Sequence, residues 1–507
     1  VRAAGKWSVL AILAFALALI SLDNTIVNVA LPSLQEDLGA STAELQWVVD
    51  AYSVLFAGTL LFAGSLGDRF GRKRILLIGL VVFGLGSLAA GAAPDASVLI
   101  ACRAVMGIGG AFIMPSTLSI LVQTFRAPTE RAQAIGVWAA VAGVGVAIGP
   151  IVGGLLLEHF SWHSVFLVNP PLVVIVLALT GLFVPESLDT SKPQLDLRGA
   201  ALSSLGLIAL VTFIVELPDS GLTGFTLGAI TVAIVLLGLF VWWEKRAPRP
   251  LLPMELFGQR VFTVAVVTVG LVYFALMGAL FFLPQFLQLV QGLSPLQSGI
   301  GMLPGAGGLL AASLVSPRLA ERWGARNTVV LGVSLVALGL MSMAFVEPMT
   351  SYPYVGFALG VTGIGMGLAL PQATNAVLSC VPRERSGMGS AVNDAVSELG
   401  GSFGVAILGG IVAFFYRARI DQAISDLGDA ASAVPQQALD AVRESLASAS
   451  VLVQQLPDEL ADPAREITGT AFVSGMGWAL TVGAVVAALG AGLAWKMFPS
   501  KMERVEE

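Results

Sequence analysis

Residues 64–74 read GSLGDRFGRKR, and the rest of the chain is laid out around them. One acid and four bases crowd a tight turn, with apolar runs on either side at 44–63 and 75–93. An apolar run of about 20 residues crosses the hydrocarbon core as a helix, so the turn joins two membrane spans. Four bases this close to a membrane stay on the cytoplasmic side. Gly64, Gly67 and Gly71 allow a sharp turn and close helix ends. Asp68 is placed to pair with Arg69, Arg72 or Arg74, or to cap a helix start.

The composition agrees. Of 507 residues, 56% are hydrophobic and only 12% charged, which excludes a soluble domain. Mean hydropathy is +0.86. The net charge of -6 matters less than where the bases sit. Cys102 and Cys380 fall near opposite membrane faces, cannot pair, and read as small apolar fillers. His159 and His163 share a short outer turn without an acid or cysteine cluster, so no metal site is expected. Glycine runs such as GIGG (107–110) sit mid-span, and no phosphate-binding G-x-x-x-x-G-K-[ST] occurs, which excludes ATP as the energy source. No cofactor and no nucleic-acid partner are expected. The chain opens on Val1 rather than Met, which reads as a start short by a few residues. The first apolar run is too long for a cleavable signal.

Fourteen spans can be drawn, at 7–31, 44–63, 75–93, 98–122, 132–157, 163–184, 198–217, 222–243, 261–290, 296–316, 327–346, 353–379, 387–416 and 469–496. With this layout 22 of the 27 bases fall on one face, four lie in the long loop 417–468 and one, Arg103, lies inside a span. Both termini are therefore expected in the cytoplasm. The loop 417–468 carries nine acids, and its periodicity with Pro435, Pro457 and Pro463 as breaks reads as short helices. It is either a solvated cap or a lid over the outer vestibule.

The chain also repeats. LGDRFGRK (66–73) is echoed by LAERWGAR (319–326), PTER (128–131) by PRER (382–385), GIGGAFIMP (107–115) by GIGMGLALP (363–371), and Pro32 by Pro284. The offsets are 253, 254, 256 and 252, nearly one value. Two homologous six-span halves follow, at 7–184 and 261–497, with spans 7 and 8 inserted at 185–260. The fold expected is an all-α polytopic membrane protein: two six-helix bundles related by a pseudo-two-fold, plus two inserted helices.

Further signatures are LDNTIVNVALP (22–32), WVVDAYSV (47–54), RAVMGIGGA (103–111), GVAIGPIVGG (145–154) and FLVNPP (166–171). Together with the turn at 64–74 and the fourteen spans, they resemble the fourteen-span drug:proton antiporters of the major facilitator superfamily, the EmrB/QacA type. The resemblance implies a monomer in the bacterial cytoplasmic membrane, with its substrate site at mid-membrane between the halves. In the antiporter signature, Gly145, Gly149 and Gly153 share one helix face, where another helix can come close, and Pro150 allows a bend. These residues read as a seam for rocking, and Asp68, Arg69 and Arg72 as part of the gate.

Repeated residues read as scaffold, so charges present in only one half need another reason. A charge buried in the membrane costs at least about 2.5 kcal/mol. Asp23 maps to Ala275, Asp50 to Leu303, Arg103 to Leu359, Asp394 to Ala140 and Glu398 to Val144. Asp23, deep in span 1 with Asn24 and Asn28 nearby, is expected to hold and release a proton, or to form a structural pair with Arg103. Asp394 and Glu398 lie one turn apart beside Asn393 and can share one proton, or act as helix-to-helix glue. Proton coupling is therefore assigned to Asp23, Arg103, Asp394 and Glu398, with Asp23 ranked first. Substrate contact is assigned to Asp50, Asn24, Asn28 and Asn393.

The function expected is proton-coupled export of lipophilic, cationic drugs or antiseptics, with no enzymatic activity. An exporter of a lipid or endogenous metabolite on the same scaffold is the alternative. An uptake symporter is the second, disfavoured by the span 5 signature. A regulatory or structural membrane protein would leave five buried charges without a reason.

Overall fold

The computed structural model describes residues 5–38, 40, 42–187, 195–248, 250–426, 436–444, 446–453 and 458–498. Arg2, Lys192, Arg249, Lys501 and Arg504, all counted with the basic face, lie outside these residues, as do Asp429, Pro435 and Pro457 of the long loop. Among the described residues, thirteen helices are long and apolar enough to cross a membrane.

The first bundle is built from α1 (Lys6–Leu38), α2 (Thr42–Phe70), α3 (Arg72–Ala90), α4 (Ala96–Thr124), α5 (Pro128–His159) and α6 (Asn169–Phe183). The inserted pair is α7 (Leu197–Ser220) and α8 (Gly224–Glu244). The second bundle is built from α9 (Arg260–Gln285), α10 (Leu303–Trp323), α11 (Ala325–Ala344), α12 (Tyr352–Ser379), α13 (Ser386–Asp426) and α14 (Asp458–Met497). The helix α5, 32 residues long, is the remaining long helix beside the thirteen. Large apolar side chains such as Leu85, Val174, Ile234, Leu338, Phe357 and Leu489 stay exposed on the helix flanks, as a hydrocarbon solvent requires.

The repeat is visible in the packing. A Cβ added at Gly79 of α3 would come 2.9 Å from the carbonyl oxygen of Gly109 in α4. A Cβ added at Gly332 of α11 would come 2.6 Å from that of Gly365 in α12. These are equivalent positions in the two halves. Each half thus joins its third and fourth helices by removing two side chains, which brings the backbones together.

Across the seam, α2 and α4 pack on α13, while α5 packs on α10 and α12. The inserted helix α7 bridges this seam on the lipid side. A small apolar cluster joins Val54 and Ala57 of α2, Ile208 and Val211 of α7, and Leu399 of α13. Its partner α8 packs mainly on α7.

Two boundaries differ from the sequence reading. Helix α13 runs 41 residues, about 60 Å at 1.5 Å per residue, so residues 417–426 continue a span instead of opening a loop. Helix α14 starts at Asp458 and runs through Pro463. Pro463 lies inside this helix and does not act as the break expected of it. Between these helices lie two short ones, Gln436–Glu444 and Leu446–Val453. They dock on the second bundle: Tyr416 donates to the Val442 carbonyl at 2.9 Å, Arg443 pairs with Asp421 at 2.8 Å, and Leu446, Ala449 and Val453 are buried.

Candidate functional site: a gate and two buried acid centres

The turn that opens the sequence reading folds into a cross-seam latch. Gly71 adopts φ 105°, a left-handed conformation that favours glycine, and this lets α3 start directly after α2. The turn sets Asp68 and Arg72 one helical turn apart and buries both, at 3% and 1% exposure. Arg72 donates to Asp68 Oδ1 from Nε at 3.1 Å and from Nη2 at 2.7 Å. It also donates to the Glu384 carbonyl of the other half at 2.6 Å. Asp68 in turn accepts from the backbone N–H groups of Gly387 at 2.9 Å and Met388 at 3.0 Å. A carboxylate on the first free N–H groups of a helix also meets the positive end of the helix dipole, so Asp68 caps α13 from the opposite half. Arg69 stacks on the Phe70 ring at 5.3 Å.

More cross-seam bonds gather at this basic end. Arg131 donates to Asn375 Oδ1 at 2.6 Å and to Ser379 Oγ at 2.7 Å. Thr129 donates to Glu321, and Gln123 reaches Ser386 at 3.5 Å. Sequence reasoning missed Arg131, Asn375, Ser379 and Glu321 as residues that bond across the seam. The signal was present: Arg131 belongs to the PTER echo and Glu321 to the LAERWGAR echo, both read only as marks of the repeat.

The first buried acid centre lies inside the first bundle. Asp23 of α1 is fully buried and pairs with Arg103 of α4 at 2.6 Å. Asn169 Nδ2, at the start of α6, donates to Asp23 Oδ1 at 2.7 Å and to Ser87 Oγ of α3 at 3.0 Å. Ser87 donates to the Phe166 carbonyl at 2.8 Å. Arg103 Nε donates to the Val48 carbonyl of α2 at 3.0 Å, and its guanidinium sits 4.6 Å from the Tyr52 ring centroid. One charge pair thus ties five helices together. Asn169 is a residue the sequence reading quoted within FLVNPP without giving it a role.

The second centre lies on α13. Asp394 is 1% exposed, and its Oδ1 accepts from Asn393 Nδ2 at 3.2 Å. Its Oδ2 is buried without a hydrogen-bond partner. Glu398, half-buried one turn on, forms no ion pair among the described residues. Tyr273 of α9 lies within electrostatic reach of both acids. The two centres therefore differ in kind: one has its charge balanced, the other does not.

The remaining expected positions are dispersed. Asp50 is half-buried and engaged with a neighbour. Asn24 is half-buried, whereas Asn28 is exposed. Gly145, Gly149 and Gly153 of α5 face α1: added Cβ atoms would meet Ala18 and Ser21, Thr25, and Ile26 respectively. They tighten contacts inside the first bundle. The seam-facing side of α5 is instead set by Gly136 against Ser313 of α10. The side chain of Pro150 lies outside the described residues. Cys102 and Cys380 are both free thiols. No cluster of three or more metal-ligating acids, histidines or cysteines occurs among the described residues.

Two six-helix halves, a latch across them and buried acids between and beside them define a membrane transporter. The chain belongs to the Major Facilitator Superfamily, whose family model matches residues 13–405. It is 37% identical to the multidrug efflux pump LfrA of Mycolicibacterium smegmatis, over 93% of this chain and 92% of that protein. It is 31% identical to the tetracenomycin C resistance and export protein of Streptomyces glaucescens, over 98% and 92% of the two chains. It is 36% identical to the methyl viologen resistance protein SmvA of Salmonella typhimurium, over 82% and 84%. The crystal structure of the human organic anion transporter MFSD10 superposes with a TM-score of 0.63 at 14% identity, covering 97% of this chain and 100% of that one, which shows the fold alone. The protein is thus a transporter and not an enzyme.

Proposed function

We propose that this protein exports lipophilic cationic drugs in exchange for protons across a bacterial cytoplasmic membrane, working as a monomer with its basic face and both termini in the cytoplasm. The observation that carries the reading is the contrast between the two acid centres. Asp23 is satisfied by Arg103 and Asn169, whereas Asp394 and Glu398 meet no cation among the described residues. An anion buried without a partner is costly, so the natural occupants of the α13 centre are a proton or a cationic substrate. Competition of the two for one site is what exchange requires.

This reading reverses the rank expected from sequence: Asp394 and Glu398 take the proton, and Asp23 with Arg103 holds the first bundle in one arrangement. The latch at the basic end supports assigning this structure to a state closed toward the cytoplasm. Asp50, near the outer end of α2, is then placed to select for cations. The relatives named for drug and antibiotic resistance support the substrate class.

The test is transport in vesicles with an imposed pH gradient, against cationic, neutral and anionic compounds. Uphill movement of the cations driven by the gradient is expected. Cation movement indifferent to the gradient would end the proton-coupled reading. A lipid exporter on the same scaffold would instead move lipid analogues and leave the cations behind.

A further inference from the structure

Tyr52 of α2 is the buried phenol that no part of the scheme above uses. It is 1% exposed, and its hydroxyl has no hydrogen-bond partner. A buried polar group without a partner is uncommon and calls for a reason. The ring is not a free aromatic surface for a drug: the Arg103 guanidinium lies over it at 4.6 Å, and Phe56 stacks with it at 5.7 Å and 13°. Space for the hydroxyl has been made on purpose. A Cβ at Gly110 of α4 would come 2.5 Å from the Tyr52 oxygen, and one at Gly107 would collide with the Tyr52 backbone.

The helix register sets the level of Tyr52 against the second half. At the basic end, Gly64 of α2 packs against Gly387 and Ala391 of α13. Going up α2 from Gly64 to Tyr52 rises roughly 18 Å, and going up α13 from Gly387 to Glu398 rises roughly 17 Å, at 1.5 Å per residue. The two helices pack side by side along the seam, so Tyr52 and Glu398 lie at one level. The charges of Asp23 of α1, Arg103 of α4 and Glu398 of α13 act on the phenol, and the Asn24 side chain of α1 lies beside its hydroxyl.

We propose that the Tyr52 hydroxyl is a positioning group that links Glu398 in the second half to the Asp23–Arg103 pair in the first. When Glu398 is a carboxylate, the phenol donates a hydrogen bond to it and holds α2 against α13 at this level. When Glu398 takes a proton, that charge-assisted bond is lost, and the ring is held only by Arg103 and Phe56. The protonation state of one half is thereby felt at the ion pair of the other. The proposal rests on the reading of Glu398 as a proton site.

The test is substrate-induced proton release from the detergent-solubilised full chain, with tetraphenylphosphonium as the probe. Tyr52→Phe removes the oxygen and keeps the ring. It is expected to melt within a few degrees of wild type and bind the probe within about threefold, while releasing less than half the protons. Glu398→Gln and the double variant Tyr52→Phe/Glu398→Gln are expected to release equally, because the two groups act through one bond. Wild-type release from Tyr52→Phe, independent losses in the double variant, or a large drop in melting temperature would each overturn the link. Absence of release from the wild type would instead bring down proton coupling itself, and the link with it.

Discussion

Asp68 and Glu321 occupy equivalent places in the two halves, and each reaches across the seam to the start of the other half's fifth long helix. Asp68 caps α13 through two backbone N–H groups, and Glu321 accepts from the Thr129 hydroxyl at the start of α5. The pair follows the pseudo-two-fold, but the two members are not equal. Asp68 is buried with Arg72, whereas Glu321 is exposed, where water screens its bond.

That asymmetry sets the first prediction. Asp68→Asn is expected to slow exchange between the two faces about tenfold or more, while the chain stays folded and binds substrate. Glu321→Gln is expected to change the rate less than about threefold, since an exposed polar contact contributes little. Transport rates in proteoliposomes check this; equal effects at the two positions would show that burial does not decide the strength of the latch.

A second prediction separates the acid centres. Asp23→Asn leaves the buried Arg103 without a counter-charge, a loss of about 3–5 kcal/mol when one member of a buried pair is removed. Its melting temperature in detergent is expected to fall well below wild type, with partial recovery in Asp23→Asn/Arg103→Met. Asp394→Asn/Glu398→Gln is expected to melt at or above wild type and to release no protons on substrate binding. An Asp23→Asn chain that melts normally yet releases no protons would restore Asp23 to the first rank.

Charge selection rests on Asp50. Asp50→Asn is expected to weaken export of monocations several-fold and to leave neutral compounds within about twofold. An equal loss for both classes, measured in the same vesicles, would move Asp50 from recognition to coupling or folding.

The orientation is checked with single cysteines on a background lacking Cys102 and Cys380. A cysteine at Ser161, in the turn between α5 and α6, is expected to react with an impermeant thiol reagent from outside the cell. One at Lys245, after α8, is expected to react only after lysis. The opposite pattern would invert every assignment of inside and outside made above.

The sequence by itself determined the class of fold. Apolar runs of spanning length, bases gathered on alternate turns and echoes at one offset are local or periodic signals, and they survive without knowledge of any contact. The same signals exposed Asp23, Arg103, Asp394 and Glu398 as charges that the repeat does not explain. Only the tertiary structure decided what those charges meet. The partners of Asp23 are Arg103 and Asn169, distant in the chain, and no spacing rule ranks them against Asn24 or Asn28 close by. The glycines at 145, 149 and 153 show the same limit. Their spacing states that a helix comes close, but that helix is α1 of the same half, because every helix has several faces and packing chooses among them. Tyr52 shows it most plainly: as a letter in the chain it is one aromatic among many, and only burial and a missing hydrogen bond make its hydroxyl conspicuous.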